Sequence, residues 1–186
     1  MRPLILLLFI LFFSCEPFEY GEEQTYTVEE GDHHSDFPLK IEGRVIDCQV
    51  RFTESCRYDP LPKPGWNKLI GLAVAFDINN DDNSARWAWR YDHDTDLIKL
   101  AMYTYVNGER QIKEVYSVEI GRWVELYIAY NKQLTKWEYY TGDSEMLGGW
   151  VRCPEFKQKH FRWSGLYFGG ESVAPHDIHV QYKFEK

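Results

Sequence analysis

Apolar and polar residues alternate along most of this chain, and a period of two predicts β-strands that are buried on one side. In the stretch 46–52, the apolar residues Ile46, Cys48, Val50 and Phe52 are separated by polar ones. A strand places neighbouring side chains on opposite faces, so these four residues are expected to face a core.

The stretch 84–91 has the same period with larger side chains. Arg86 and Arg90 fall on one face. The other face is expected to be buried and carries Ala85, Trp87, Trp89 and Tyr91.

Turn residues separate the alternating stretches. Asn107-Gly108 is a strong two-residue hairpin signal, and the run 77–83 is rich in Asp and Asn. Residues 142–159 show no alternation and are expected to be irregular. The pattern indicates roughly nine or ten strands and no substantial helix after the N-terminal segment. We therefore predict an all-β fold in which two antiparallel sheets pack as a sandwich. The predicted strands are 46–52, 69–76, 84–91, 97–106, 110–118, 123–130, 134–141, 161–168 and 178–184.

The first residues have a different pattern. One arginine, Arg2, precedes an unbroken apolar run that ends before Ser14-Cys15. A helix of about 11 residues at ~1.5 Å per residue spans only about half of the ~30 Å hydrocarbon core. The run therefore predicts a secretory signal peptide over residues 1–14 and not a membrane-spanning helix.

The segment 11–15, Leu-Phe-Phe-Ser-Cys, resembles the lipobox of bacterial lipoproteins. The resemblance implies cleavage before Cys15, lipid on its thiol and anchoring in the outer membrane, with exposure at the cell surface a further expectation. An ordinary secreted protein cleaved nearby is the alternative. Residues 15–24 are expected to form an acidic tether, which resembles surface-export tags but is equally typical of a plain linker. A single β-sandwich domain is predicted over residues 25–186.

Composition and charge narrow the function. The chain has seven Trp, thirteen Tyr and eleven Phe, which favours strands. Its net charge of −8 argues against general nucleic-acid binding, because such surfaces would be repelled by a phosphate backbone.

The cysteine count permits at most one internal disulfide in the domain. Of four cysteines, Cys15 is assigned to lipid, which leaves Cys48, Cys56 and Cys153. We predict a Cys48–Cys153 bridge; the alternative is that all three are small buried apolar residues. There is no Cys-x-x-Cys pair to suggest structural zinc, and no metal or other cofactor is expected.

The segment 121–130, beginning Gly121-Arg122-Trp123, resembles a strand of concanavalin A-like (laminin-G-like) jelly rolls. Other segments are similar to a family of small, largely uncharacterised bacterial proteins. The resemblance covers residues 43–186 and implies a jelly roll, but it implies no activity. Its further segments are 54–59, 66–69, 83–91, 167–170 and 174–178.

The strongest candidate site combines Arg86 and Arg90 with Tyr103 and Tyr105. Jelly rolls of the resembled class bind sugars on a concave sheet, where aromatic rings stack on pyranose faces and arginines bond hydroxyls or carboxylates. We predict a ligand site from these four residues and His176. In the alternative, the two arginines are solvated or paired with carboxylates.

A catalytic interpretation of the same region is a polysaccharide lyase. Lyases of jelly-roll fold neutralise a uronate with Arg or Asn and move a proton with His or Tyr, here His176 or His179. The chain lacks the Gln-Ile-His and Tyr-Phe-Lys-x-Gly phrases of the alginate lyases that it would resemble, and Gly169 stands where the lysine would be.

Two further motifs have structural alternatives. Asp77, Asn79, Asp81 and Asn83 have the oxygen spacing of a calcium loop, but the positions expected for its glycine and its final glutamate hold Asp and Ala. Turns also use such residues. The pair His176-Asp177 could orient a base, but is more typical of a corner that caps backbone amides.

These observations together predict a lipid-anchored cell-envelope protein that binds an extracellular glycan or other surface ligand without catalysis. A polysaccharide lyase or glycoside hydrolase is the first alternative. A structural interaction lipoprotein without a small ligand is the second.

Overall fold

A computed structural model describes residues 20–63, 65–74, 80–142 and 147–185. The predicted signal peptide, the predicted lipidation site Cys15 and the first half of the predicted acidic tether lie outside the described residues. No helix among the described residues is long and apolar enough to cross a membrane.

The described chain forms two six-stranded antiparallel sheets, which confirms the predicted all-β jelly-roll sandwich. The first sheet has the order β1-β12-β3-β8-β9-β10 and the second β2-β11-β4-β5-β6-β7. One short 3-10 turn, Glu54–Cys56, follows β3. The strands are β1 (Gln24–Val28), β2 (Lys40–Glu42), β3 (Val45–Phe52), β4 (Asn67–Val74), β5 (Ser84–Asp92), β6 (Leu97–Val106), β7 (Glu109–Glu119), β8 (Trp123–Asn131), β9 (Lys136–Thr141), β10 (Leu147–Arg152), β11 (Phe161–Ser164) and β12 (Ile178–Phe184).

The core lies between the sheets and is built largely from aromatic residues. Trp87 and Trp89 of β5 are fully buried, as the alternation predicts. Trp87 packs against Tyr139 of the opposite sheet in an edge-to-face arrangement, with 5.4 Å between the ring centroids. Phe52 and Trp89 also pack across the interface, with tilted rings whose centroids are 5.3 Å apart. Such pairs add roughly 0.5–1.5 kcal/mol each beyond the area they bury.

The hairpin between β6 and β7 turns at Asn107-Gly108, as predicted. Both residues have positive φ, 50° and 81°, which two-residue turns of this type require. The turn is held from outside, because the Gly108 N–H donates to the Asp82 carbonyl at 3.0 Å.

Three strands, β1, β2 and β10, fall outside the nine predicted from sequence, and β11 is shorter than predicted. β10 occupies part of the segment expected to be irregular. The strand is not predictable from the sequence pattern, because Gly148 and Gly149 interrupt the alternation of apolar and polar residues. The glycine is required there, because a Cβ on Gly148 would lie 1.9 Å from the Tyr139 carbonyl oxygen.

The predicted Cys48–Cys153 disulfide is wrong, because all three described cysteines are free and buried. Cys48 lies opposite Leu126, which lies opposite Thr141. Cys153 is bonded through its N–H to Thr135, at the other end of β9. At ~3.3 Å per residue, the backbone from Thr141 to Thr135 separates the two cysteine Cα atoms by about 20 Å, far beyond the ~7 Å that a bridge allows. The alternative, small buried apolar residues, is confirmed.

Candidate functional site

The outer face of the second sheet carries a cleft whose floor is set by strand register. Arg86 of β5 lies opposite Gly71 of β4 on one side and Tyr103 of β6 on the other. One step along, Ser84 lies opposite Tyr105. The structure therefore brings together Arg86, Tyr103 and Tyr105, three of the five residues of the predicted ligand site.

Arg86 is held at the base of this cleft with little exposure, 7 %. Its guanidinium carbon lies 5.0 Å from the Tyr103 ring centroid and 5.7 Å from that of Tyr105. Its nearest carboxylate among the described residues is Asp81, at 3.7 Å and largely exposed. Its buried Nε has no hydrogen-bond partner among the described residues, and burial lowers the pKa of the guanidinium. A buried donor of this kind is costly unless a ligand satisfies it.

Gly71 makes room for this arginine. A Cβ at that position would lie 2.3 Å from the Arg86 Cγ and 2.4 Å from the Ala85 carbonyl oxygen. Only glycine lets the side chain of Arg86 cross the neighbouring strand at this point.

Lys68 is the second cation of the cleft, and it is only 9 % exposed. Its Nζ lies 4.9 Å from the ring centroid of Tyr103 and 5.2 Å from that of Tyr167. Burial, and then the charge of Arg86, lower its pKa to about 8. Within the described residues no carboxylate forms an ion pair with it, so its charge is compensated chiefly by aromatic faces.

The walls complete a space of about 690 Å³. One wall is the apolar segment Phe37–Leu39, and the other includes Tyr167 and Arg162. The side chain of Asn67 fixes the loop beside Tyr167, because its Oδ1 accepts from the Gly169 N–H at 2.8 Å. The volume falls within the range of ~300–1,000 Å³ that small-ligand sites occupy.

The surroundings of Tyr103 and Tyr105 are positively charged, although the whole chain has a net charge of −8. The Arg110 guanidinium of β7 donates a hydrogen bond to the Tyr103 hydroxyl, and this contact raises the pKa of the arginine. Burial and the neighbouring Tyr103 raise the pKa of Tyr105 to about 12. The cleft therefore offers an anion several donors and aromatic surfaces in one place.

Two of the predicted site residues lie elsewhere. Arg90 is on the same face as Arg86 but outside the cleft, where it stacks on Trp66 at 4.5 Å and bonds Glu114 at 3.1 Å. His176 is held by the Ser55 carbonyl, 2.8 Å from its Nε2. The grouping of all five residues into one site is not what the structure shows.

The described residues of the His-Asp pair and of the calcium pattern make structural contacts. The Asp177 carboxylate accepts from the Glu30 N–H at 2.9 Å, which agrees with the corner interpretation. Asn83 accepts from the Asn107 N–H at 3.1 Å and so holds the hairpin tip, while Asp81 faces Arg86. Asp77 and Asn79 of the calcium pattern lie outside the described residues.

Sequence reasoning missed Lys68, Tyr167 and Arg162. The signal that could have identified Lys68 is its position next to an apolar strand. A single lysine at such a position is expected either to be buried or to reach the edge of the sheet. Nothing local to the sequence shows that β11 and the Tyr167 loop come beside β4.

Comparison with known proteins gives the fold. No protein-family profile matches the sequence, and no curated protein sequence matches it significantly. A functionally unknown protein from Saccharomyces cerevisiae superposes with a TM-score of 0.55 at 12 % identity, covering 89 % of this chain and 87 % of that one. A pseudo β-1,3-glucanase and immunostimulatory antigen of Mycobacterium tuberculosis superposes with a TM-score of 0.50 at 11 % identity, covering 87 % and 72 %. Alginate lyase vAL-1 from Chlorella virus covers 86 % and 81 %, with a TM-score of 0.48 and 10 % identity.

Proposed function

We propose that the domain binds an acidic polysaccharide in the cleft of Arg86 and Lys68. The observation that carries the proposal is a pair of nearly buried cations beside tyrosine rings, one of them with a buried donor that no described residue accepts. A sugar carboxylate would supply the missing acceptor, and pyranose faces would lie against Tyr103, Tyr105 or Tyr167. A protein of similar fold, the pseudo β-1,3-glucanase of Mycobacterium tuberculosis, is named for a polysaccharide, which supports a glycan as the ligand class.

Binding of uronate polymers and of matched neutral polysaccharides to the purified protein tests the proposal. We expect the uronate polymers alone to be retained. Arg86→Ala should weaken binding by about tenfold or more, because a hydrogen bond to a charged group contributes roughly 1.5–3 kcal/mol.

Arg90→Ala is the matched control, since Arg90 lies on the same strand and face but outside the cleft. Equal losses in the two variants, or retention of neutral polymers only, would contradict an acidic ligand in this cleft.

The second candidate is a lyase, and the lowered pKa of Lys68 favours it. An amine with a pKa of about 8 is partly unprotonated near neutrality and can act as a general base. Lys68 would take the C5 proton of a uronate while Arg86 neutralises the carboxylate. The C4–O bond breaks, a C4=C5 double bond forms, and Tyr103 protonates the leaving oxygen. Ultraviolet absorbance from the unsaturated product, lost in Lys68→Met, separates cleavage from simple binding.

We further propose that lipid on Cys15 holds the domain at the outer membrane, which rests on the N-terminal residues alone. An anchored domain with an acidic surface and one basic cleft would meet external polymers while its other faces repel them.

A further inference from the structure

Tyrosine rings and cations alternate along the cleft of the second sheet. The Lys68 Nζ lies between two rings, 5.2 Å from the centroid of Tyr167 and 4.9 Å from that of Tyr103. The guanidinium carbon of Arg86 lies 5.0 Å from the same Tyr103 centroid and 5.7 Å from the centroid of Tyr105. The order along the cleft is therefore ring, cation, ring, cation, ring.

Strand register gives this series its direction. Residues directly opposite one another on neighbouring strands form a row across the sheet, and Tyr167 shares a row with Lys68. Arg86 and Tyr103 share the next row, and Tyr105 belongs to the row after that. Rows whose side chains point to the same face are two residues apart, which is about 7 Å along a strand. The series therefore runs along β4 and β5 and not across them.

A third cation stands at the far end of the series. Arg162 of β11 shares the row of Tyr105, because Ala73 and Ser84 lie between them in the register. Its side chain lines the cleft, and its Nη2 donates to the Asn80 Oδ1 at 2.5 Å, which orients the guanidinium. Each of the three rows therefore carries a cation and a tyrosine.

The charge of the lining exceeds what one acid group can balance. Of the described residues that line the cleft, Lys68, Arg86 and Arg162 are cations and only Asp81 is a carboxylate. Lys68 and Arg86 are nearly buried, so water screens their charges weakly. A ligand with a single acid group would leave part of this charge uncompensated, whereas two acid groups would balance it.

Two buried polar atoms in the middle row lack a partner. The Arg86 Nε and the Ser164 Oγ have no hydrogen-bond partner among the described residues. Their strands lie on either side of Gly71, which is directly opposite both residues. A sugar carries acceptor oxygens and hydroxyl donors together, so one sugar unit in this row can bond both atoms.

We propose that the ligand of this cleft is a run of adjacent acidic sugars lying along β4 and β5, an inference that rests on the proposed function. One carboxylate contacts Lys68, the next contacts Arg86, and a longer chain reaches Arg162. Lys68 and Arg86 flank the single ring of Tyr103, which is close in size to one pyranose, so the two carboxylates belong to neighbouring sugars. A polymer in which acidic and neutral sugars alternate does not place its carboxylates on neighbouring units.

Calorimetric titration of the intact protein near neutral pH counts the acid groups. The probes are the monosaccharide and the disaccharide of polygalacturonate and of polymannuronate, with the monomethyl ester of each disaccharide. We expect one disaccharide to bind at least tenfold more tightly than its monosaccharide and its monomethyl ester, because each of these lacks one charge-assisted contact. A hyaluronan tetrasaccharide, in which acidic and neutral sugars alternate, should bind no better than the monosaccharide.

The outcomes separate this proposal from the one on which it rests. Retention of a uronate polymer together with equal affinities of the disaccharide and its monomethyl ester would overturn the adjacent acid groups and leave the acidic ligand standing. Equal affinities of the disaccharide and the hyaluronan tetrasaccharide would do the same. Retention of no uronate polymer would overturn both proposals.

Variants assign the contacts. Lys68→Met and Arg86→Ala should each weaken disaccharide binding about tenfold and remove its advantage over the monomethyl ester. Arg90→Ala, on the same strand face but outside the cleft, is the matched control and should keep that advantage. Loss of the advantage in Arg90→Ala, or its retention in both cleft variants, would contradict the assignment. Arg162→Gln should weaken binding of the trisaccharide and not of the disaccharide, and any other pattern would overturn the order of contacts.

Discussion

The pKa values of Lys68 and Arg86 are lowered for the same reason, because burial removes each side chain from water. Each is charged and nearly buried, and each lies against tyrosine rings. The carboxylate that pairs with Arg86, Asp81, is largely exposed and 3.7 Å away. A buried cation with so little compensation is destabilising, and its persistence at a cleft is typical of sites that bind or transform an anion.

The pH dependence of binding follows from Lys68. Its pKa is about 8 in the folded protein against 10.5 ordinarily, so the unfolded chain binds more protons between these values and stability rises with pH across that window. Binding of an anion has the opposite dependence, because it needs the protonated amine. We expect the affinity for a uronate oligosaccharide, measured by calorimetry, to fall as pH rises through about 8.

Lys68→Arg should abolish that fall, since a guanidinium stays charged across the whole range. An affinity that is flat from pH 7 to 9 in the parent protein would argue against contact between Lys68 and the ligand. If the protein is a lyase, kcat should instead rise through the same range.

At the scale of elements, the pairing of β4 with β5 decides whether the cleft exists. Gly71 lets the side chain of Arg86 cross its strand, and the bulge between Lys68 and Ile70 changes the register beside it. The floor of the cleft is therefore a property of two adjacent strands and not of either one.

Gly71→Ala should destabilise the protein by about 1–3 kcal/mol, the usual cost of overpacking. The added methyl meets the backbone of β5 and must move Arg86 or the strand. Chemical denaturation measures the free energy of unfolding. In the glycan-binding assay, the Gly71→Ala protein that remains folded should bind the glycan more weakly than the parent protein does.

Gly43→Ala is the control, because a Cβ there meets nothing within 4 Å. Equal stabilities of the two variants would show that β4 and β5 can separate without cost, against the geometry described here.

At the scale of the whole molecule, the two sheets present different chemistry to the outside. The second sheet has a basic cleft, and the first carries the exposed carboxylates of Asp47 and Glu125 beside the rings of Tyr127 and Tyr140. The core between them is dominated by aromatic residues, which keeps the faces about one sheet spacing of ~10 Å apart.

The location of the molecule is a separate prediction. Cys15→Ser should move the protein from the membrane fraction to the soluble secreted fraction, because acyl chains contribute about 0.8 kcal/mol per buried CH₂. Metabolic labelling with palmitate followed by fractionation measures this. Labelling that persists in Cys15→Ser would contradict the assignment.

Most of the strands and their buried faces were predictable from the sequence. The β5 alternation placed Trp87 and Trp89 inside, and β6 and β12 have the predicted bounds. β10 was missed because Gly148 and Gly149 carry no alternation. Arg86 with Tyr103 and Tyr105 was found because consecutive strands joined by a tight turn pair with each other.

What the sequence determined by itself is therefore nine of the twelve strands, their inward faces and the charge and aromatic content, because alternation and turn chemistry are local. The tertiary structure alone decided that Lys68 lies against Tyr103, that Arg90 and His176 lie outside the cleft, and that Cys48 is far from Cys153. These relations depend on pairings between strands that are distant in the chain, and no local pattern specifies which distant strand becomes a neighbour.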